Sequence, residues 1–402
     1  MSEGSPHEYK EQLGACVECG NSPVNHLETY LTQSLAVWSS GERSGAWRKR
    51  FDAWSDALTA RLDQIVYKSF AALPLARFVH DPARAKTYRS QVVWEEAQRR
   101  GIAMEQMMLA GKHTDIYRAR INDTWKYFHS LPIPAHFEFP SYGWIDDKHM
   151  LKRVLRGAGI PVPTTRSVTS FRGALRALAE IGAPVVVKPR AGSRARHTSV
   201  NVTSEDDLAQ AFQSAQRLCR YVSIEAYLAG SVCRGTVVHG TLRGFFQGTA
   251  PCVVGDGVAS ITLLIERQNA GKPDRVQDIV LTAEHERFLA RSSSTPASVP
   301  TAGAVVALTH RTGRLFGGRT RELLGAEHPK LRAYLERAAA TVGAPIVGFD
   351  LIIPDPEADP DTQAWGIIEA NSLPYIDLHY LPLEGKPSNV AAAVWDLWHT
   401  TE

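Results

Sequence analysis

The chain has 402 residues, 44% of them hydrophobic, with a formal net charge of +3 from 45 Lys and Arg against 42 Asp and Glu. That length is more than one hydrophobic core ordinarily serves, and so small a positive surplus sets up no global field for nucleic acid. No apolar run of about eighteen residues is present to cross a membrane. The opening Met1-Ser2-Glu3-Gly4-Ser5-Pro6 is polar and acidic, unlike a secretion leader. Five scattered cysteines make no disulfide framework, so a reducing, cytoplasmic setting is expected.

Cys16-Val17-Glu18-Cys19 has the spacing of half a zinc site, but His26 is the sole nearby further ligand and the next cysteine is Cys219. Unassigned free thiols are the simpler expectation there. Trp47, Phe51, Trp54, Leu58, Leu62, Ile65 and Phe70 recur at helical steps and predict one aromatic stripe, used in core packing or at a homodimer interface. Residues 76–139 read as short strands and helices: a helix over 90–100 ended by Gly101, a strand-like run at 104–109 and another from Ile116. Ser170 and Ser204 are placed to cap helices, the second with Glu205, Asp206 and Asp207 in its first turn. Residues 291–303, rich in serine and threonine and without apolar period, predict a segment that is mobile or forms a lid edge.

Two segments carry chemistry. Pro184-Val185-Val186-Val187-Lys188-Pro189 is a strand ending in a lysine, and Arg190-Ala191-Gly192-Ser193-Arg194-Ala195-Arg196-His197 continues it as a small-residue, cationic loop. A strand holds the ammonium at fixed depth while small residues let the loop approach phosphates, a solvated surface loop being the plain alternative. Neither GxxxxGK[ST] nor GxGxxG is present. Downstream, Val347-Gly348-Phe349-Asp350-Leu351-Ile352-Ile353 and Trp365-Gly366-Ile367-Ile368-Glu369-Ala370-Asn371 predict two strands across a polar connection, paired antiparallel so that Asp350 meets Glu369 and Asn371. Glu369 and Asn371 share a face of an extended chain. Three hard oxygen donors suit Mg²⁺ beside phosphates, and the competing use is a surface hairpin solvated by its acids.

With these blocks in order, residues 142–397 resemble an ATP-grasp ligase, similar to the amide-forming domains of cyanophycin synthetase and bifunctional glutathione synthetase. The resemblance rests on Asp147-Lys148 with Leu155-Arg156-Gly157-Ala158-Gly159-Ile160-Pro161-Val162-Pro163, on Val187-Lys188-Pro189, on Val222-Ser223-Ile224-Glu225-Ala226-Tyr227-Leu228-Ala229-Gly230, on Arg234 through Val238, on Val254-Gly255-Asp256-Gly257, and on Ile368-Glu369-Ala370-Asn371-Ser372-Leu373-Pro374. It implies an α+β ATP-grasp fold, two α+β subdomains gripping ATP, preceded by a small open α/β domain and a helical N-terminal segment. The boundaries expected are 1–75 for that segment, 76–141 for the pre-grasp domain, 142–225 for the nucleotide lid and 226–402 for the metal and catalytic floor.

The resemblance further implies a carboxylate–amine ligase that forms an amide through an acylphosphate, using ATP and Mg²⁺ with Mn²⁺ as a substitute. Lys148, Lys188, Ser193, Arg194, Glu225, Ala226 and Leu228 would bind the nucleotide, Asp350, Glu369 and Asn371 the metal, and Arg234 the transferred group, a structural salt bridge being the plain alternative for Arg234. The pattern also departs from the family. The arginine expected some six residues before Gly255 is Gly248, with Arg243 as a replacement in another register, and the segment beside the acceptor pocket reads Thr309-His310-Arg311-Thr312-Gly313-Arg314-Leu315-Phe316-Gly317-Gly318-Arg319 without its leading asparagine. Arg319, or Arg314, would hold a second carboxylate. The partners expected are amino acids or short peptides, at least one anionic, with neither nucleic acid nor membrane. Kinase-like phosphoryl transfer and a catalytically degenerate scaffold are the competing readings.

Overall fold

The computed structural model describes residues 16, 19, 24–39, 67–70, 76–134, 137, 143–191 and 196–399. The aromatic stripe apart from Phe70 lies outside the described residues, as do Ser193 and Arg194. The architecture is the expected α+β one, in two compact units. Helix α1 (His26–Ser39) belongs, with Asp147–His149 and Pro163–Tyr227, to the smaller unit, and the other described residues form the larger.

In the larger unit β1 (Ala76–Val79), β2 (Met104–Leu109), β3 (Lys112–Ile121) and β4 (Thr124–His129) form an antiparallel sheet in sequence order. Its two tight hairpins turn at Ala110-Gly111 and Asn122-Asp123, each with positive φ at both residues, the geometry that matches strand twist. Between β1 and β2 runs α2 (Tyr88–Arg99), capped by Thr87, whose side chain accepts from the Ser90 N–H. Its face of Val92, Val93, Trp94 and Ala97 shares a core with Tyr117, Phe128, Val394 and Trp395. Downstream, α3 (Lys148–Gly157) buries Leu151 and Leu155 in the larger unit's second core.

The smaller unit holds β5 (Thr165–Val168), β6 (Val185–Pro189), β7 (Ser199–Val202) and β8 (Val222–Ala226) in the antiparallel order β5-β8-β6-β7. The helices α4 (Phe171–Ile181) and α5 (Glu205–Gln216) start at their serine caps, Ser170 accepting from Gly173 and Ser204 from Asp207. Val185 and Val187 of β6, with Val222 and Ile224 of β8, pack on Ala174, Leu208 and Phe212 of these helices. Alternation therefore turns Val186, Lys188, Ser223 and Glu225 to the opposite sheet face.

The chain returns to the larger unit with β9 (Ser231–Val238), β10 (Thr241–Gly248), β11 (Cys252–Val254), α6 (Ile261–Gly271), α7 (Ala283–Ala290), β12 (Val305–Ala307), β13 (Thr320–Glu322), α8 (Pro329–Val342), β14 (Ile346–Ile353), β15 (Gly366–Asn371), α9 (Asp377–Tyr380) and α10 (Val390–Asp396). Five of these strands make an antiparallel sheet in the order β13-β10-β9-β14-β15, while β11 and β12 pair by themselves. Cys233, Val237, Phe349, Leu351 and Ile367 point into a core with Leu331, Leu335 and Ala338 of α8. The other face carries Arg234, Thr236, Asp350 and Glu369. Residues 291–303 are largely exposed and are held by turn bonds such as Ser298 N to Thr295 O at 2.9 Å.

Gly244 marks a close approach of strand backbone to a buried side chain. A Cβ there would lie 2.5 Å from the imidazole of His379, which is fully buried and fixed by Thr236 and Glu322. Gly244→Ala should therefore lower stability by about 1–3 kcal/mol, the usual cost of overpacking. Thermal denaturation beside Gly271→Ala, where a Cβ meets nothing within 4 Å, checks this; equal melting temperatures would contradict it.

Candidate functional site

In the smaller unit the strand register builds a charged pair. Val186 lies opposite Glu225 and Lys188 opposite Ser223, so Lys188 and Glu225 are diagonal neighbours on one sheet face. Lys188 Nζ meets Glu225 Oε2 at 2.9 Å, both side chains nearly buried, and Ser223 Oγ donates to Glu225 Oε1 at 3.0 Å. An ammonium at this depth needs its counter-ion, which also fixes its direction. One residue past β6, Arg190 Nη2 donates to Asp147 Oδ2 at 3.1 Å, joining the loop stem to the Asp147-Lys148 block, where Lys148 is buried. The Ala226 N–H donates to Thr164 O, and half-buried Leu228 follows just past the end of β8.

In the larger unit three strands align a row of charges. Arg234 lies opposite Asp350 across β9 and β14, and Asp350 opposite Glu369 across β14 and β15. The guanidinium grips the carboxylate with both prongs, Nε to Oδ1 at 2.7 Å and Nη2 to Oδ2 at 2.6 Å. Two carboxylates facing across strands repel, so the row stands only with cations beside it. Burial by itself would depress Arg234; Asp350, with Glu369 and Asp377, outweighs burial and holds the guanidinium above its ordinary value. Behind the row, burial and the Asp350 charge push the Cys233 thiol up to about 12, so this cysteine is inert packing.

A bulge makes this row possible. Leu351 pairs with Ile367 while Asp350 pairs with Glu369, which leaves Ile368 as the extra residue of β15. Ile367 and Ala370 can then both enter the core while Glu369 and Asn371 face away from it. Asn371 Nδ2 is buried without a hydrogen-bond partner, a polar end the protein itself does not satisfy. Two carboxylates and a carboxamide form a hard-oxygen set that fits Mg²⁺, since each Asp350 oxygen keeps a lone pair beyond the one given to Arg234.

The remaining expected residues separate. Arg319 pairs with Glu384 at 2.6 Å on an exposed surface, and Arg243 is exposed beside a β10 bulge. Arg314 of the altered segment is largely buried. It pairs with Asp377 of α9, yet Arg314 Nη1 and Asp377 Oδ1 are buried without partners. Asp377 escaped the sequence reading, its one signal being an acid just past the Asn371 block. Also missed was the interior chain in which Thr236 Oγ1 meets His379 Nε2 at 2.7 Å and His379 Nδ1 meets Glu322 Oε2 at 2.8 Å. The surviving Gly317-Gly318 pair has packing reasons: Gly317 is left-handed, and a Cβ on Gly318 would sit 2.1 Å from Thr249 O. Arg311 donates through Nε to both oxygens of Glu284, at 2.9 and 3.1 Å.

No family model matches the chain. Among curated proteins it is similar to cyanophycin synthetase of Geminocystis herdmanii, 32% identical over 262 residues, which is 62% of this chain and 30% of that protein. The match to cyanophycin synthetase of Trichormus variabilis is 27% identical over 263 residues, 64% of this chain and 29% of that one. The bifunctional glutathione biosynthesis protein of Mannheimia succiniciproducens is 27% identical over 309 residues, 74% of this chain and 40% of its own. Among solved structures, a bifunctional glutathione synthetase from Pasteurella multocida superposes with a TM-score of 0.56 at 25% identity, covering 77% of this chain and 43% of that one. The chain thus spans less than half the length of each of these relatives.

The Arg234–Asp350 pair can be tested without a substrate. Arg234→Gln should lose about 3–5 kcal/mol, because it leaves a mostly buried carboxylate unpaired beside Glu369, and adding Asp350→Asn should recover most of that loss. Denaturant midpoints for the two single variants and the double variant measure the coupling, and additive losses would contradict it.

Proposed function

The chain belongs to the ATP-grasp ligase superfamily, and from that premise we propose that it is an ATP-dependent carboxylate–amine ligase. The observation that carries this reading is the row Arg234, Asp350, Glu369 on one sheet face, with Asn371, whose Nδ2 has no protein partner, two residues further along β15. A surface hairpin has no use for two opposed carboxylates held by a bidentate guanidinium.

The chemistry proposed has two steps. A carboxylate oxygen of the acyl donor attacks the γ-phosphorus of ATP, the bond from phosphorus to the β,γ-bridging oxygen breaks, and ADP leaves with the electron pair. An amine then adds to the acyl carbon, the carbon–oxygen bond to phosphate breaks, and the nitrogen gives up a proton to yield amide and inorganic phosphate. Here the protein contributes positioning and charge neutralisation. Lys188, aimed by Glu225, and Lys148 are assigned to phosphate, with Ser193, Arg194, Glu225, Ala226 and Leu228 around the nucleotide. Asp350, Glu369 and Asn371 would hold Mg²⁺, which when bound neutralises the phosphoryl oxygens. Arg234 fixes the orientation of Asp350. In domain terms, residues 76–141 are assigned to the pre-grasp part, 142–225 to the lid and 226–402 to the floor.

The substrates we assign are an amino acid or short peptide and an amine, one of them anionic. The support for a second carboxylate is Arg314, whose Nη1 is buried without a protein partner. Arg319, exposed and paired with Glu384, has less support for that role.

A screen of amino acids and dipeptides for ADP release, with the product weighed by mass spectrometry, tests the reading. An amide product supports it, and a phosphorylated product formed without an amine would replace it with phosphoryl transfer. Glu369→Gln keeps shape but removes a charge, so turnover should fall to near zero while the melting temperature stays within a few degrees; retained turnover would remove Glu369 from the metal site. Lys188→Ala removes a charge-assisted contact of about 1.5–3 kcal/mol, so ATP affinity should fall by roughly tenfold to a hundredfold in equilibrium binding.

A further inference from the structure

The Cys16-x-x-Cys19 pair is not alone in the folded chain. Among the described residues, Cys16, Cys19, His26 and His197 bring one donor atom each to within 4.8 Å of one another, two of the four being buried. Cys19 Sγ lies 3.2 Å from His26 Nε2 and 3.4 Å from His197 Nε2, and Cys16 Sγ lies 3.5 Å from His197 Nε2. Sulfur and nitrogen ligands at the vertices of a tetrahedron around Zn²⁺ stand about 3.6 Å apart, from bond lengths near 2.3 and 2.05 Å. These three sulfur–nitrogen edges are already close to that figure.

We propose that these four side chains form a structural Zn²⁺ site. The supporting shell is built. His197 Nδ1 donates to Ser214 O at 2.9 Å, which leaves Nε2 unprotonated toward the sulfurs, the orientation that metal-bound imidazoles require. Cys19 N–H donates to Cys16 O at 3.0 Å, a turn that points both thiols to one side. His26 opens α1, where Asn25 Oδ1 accepts from Leu27 and Glu28 N–H, and the helix is further tied down by Arg220 N–H donating to Ser34 Oγ at 3.0 Å. Two thiolates balance the charge of the ion, and four protein ligands leave no open position for substrate, so the role is structural. Thiolate and imidazole exclude Mg²⁺, which separates this site from the oxygen donors of Asp350 and Glu369.

The consequence lies in what the ligands join. His197 lies just before β7, in the hairpin whose first strand presents Lys188, so the metal would fasten Cys16, Cys19 and α1 to that hairpin.

The test is metal analysis of the full chain purified without chelator. One zinc per chain is expected, lost in Cys16→Ser/Cys19→Ser and in His197→Gln but kept in Cys219→Ser. Should the variants fail to fold, the unmodified chain stripped of metal and loaded with Co²⁺ should give the intense visible bands of tetrahedral sulfur and nitrogen ligation. Zinc retained by the double cysteine variant, an octahedral Co²⁺ spectrum, or a Cys16–Cys19 disulfide in the freshly purified chain would each overturn the proposal. None of these readouts depends on ligase activity.

Discussion

The bidentate pairing of Arg234 with Asp350 is the interaction around which the larger unit is arranged. A sheet of five antiparallel strands has one face committed to α8 and its leucines, and the opposite face must accommodate whatever alternation delivers. What it delivers is a cation flanked by acids. An isolated carboxylate at that depth would carry an uncompensated desolvation cost, whereas one held by two parallel N–H donors is compensated and directed. The register of β9, β14 and β15 aligns that row, and the Ile368 bulge leaves Glu369 on it.

The smaller unit solves the same problem at smaller scale. Valines and Ile224 on one face of its sheet meet two helices, and Lys188 and Glu225 on the other neutralise each other. Preorganised side chains of this kind do not have to be reoriented when a charged ligand arrives, which is where much of the advantage of a folded site over free solution comes from.

Much of this was legible before any coordinates. Hydrophobic runs at 347–353 and 365–371 separated by polar turn residues predicted the antiparallel pair, and Ser170 and Ser204 sit at their helix starts. Local chemistry suffices for such features, because a cap or a short connection involves neighbours in sequence. The bulge was not legible: strict alternation puts Ile367 on the face of Glu369, and only the core behind β15 decides that Ile368 is the extra residue. Nor was the place of His197, which reads as one more cation of a phosphate loop until folding brings it across 178 positions to Cys19. Arg314 and Arg319 look equivalent in one basic segment, and burial alone tells them apart.

The indole of Trp395 donates to the Val93 carbonyl at 2.9 Å, across 302 positions of chain, inside the core that α2 shares with β3 and β4. During synthesis the meander and its helix therefore emerge from the ribosome with an open apolar face, and that face closes only when α10 has been made. At elongation rates of about 5–20 residues per second this is an interval on the order of tens of seconds. Over that interval the early residues present a sticky surface with its proper lid still unwritten, so yield in a heterologous host will depend on how well chaperones shield residues 76–134 until translation reaches α10.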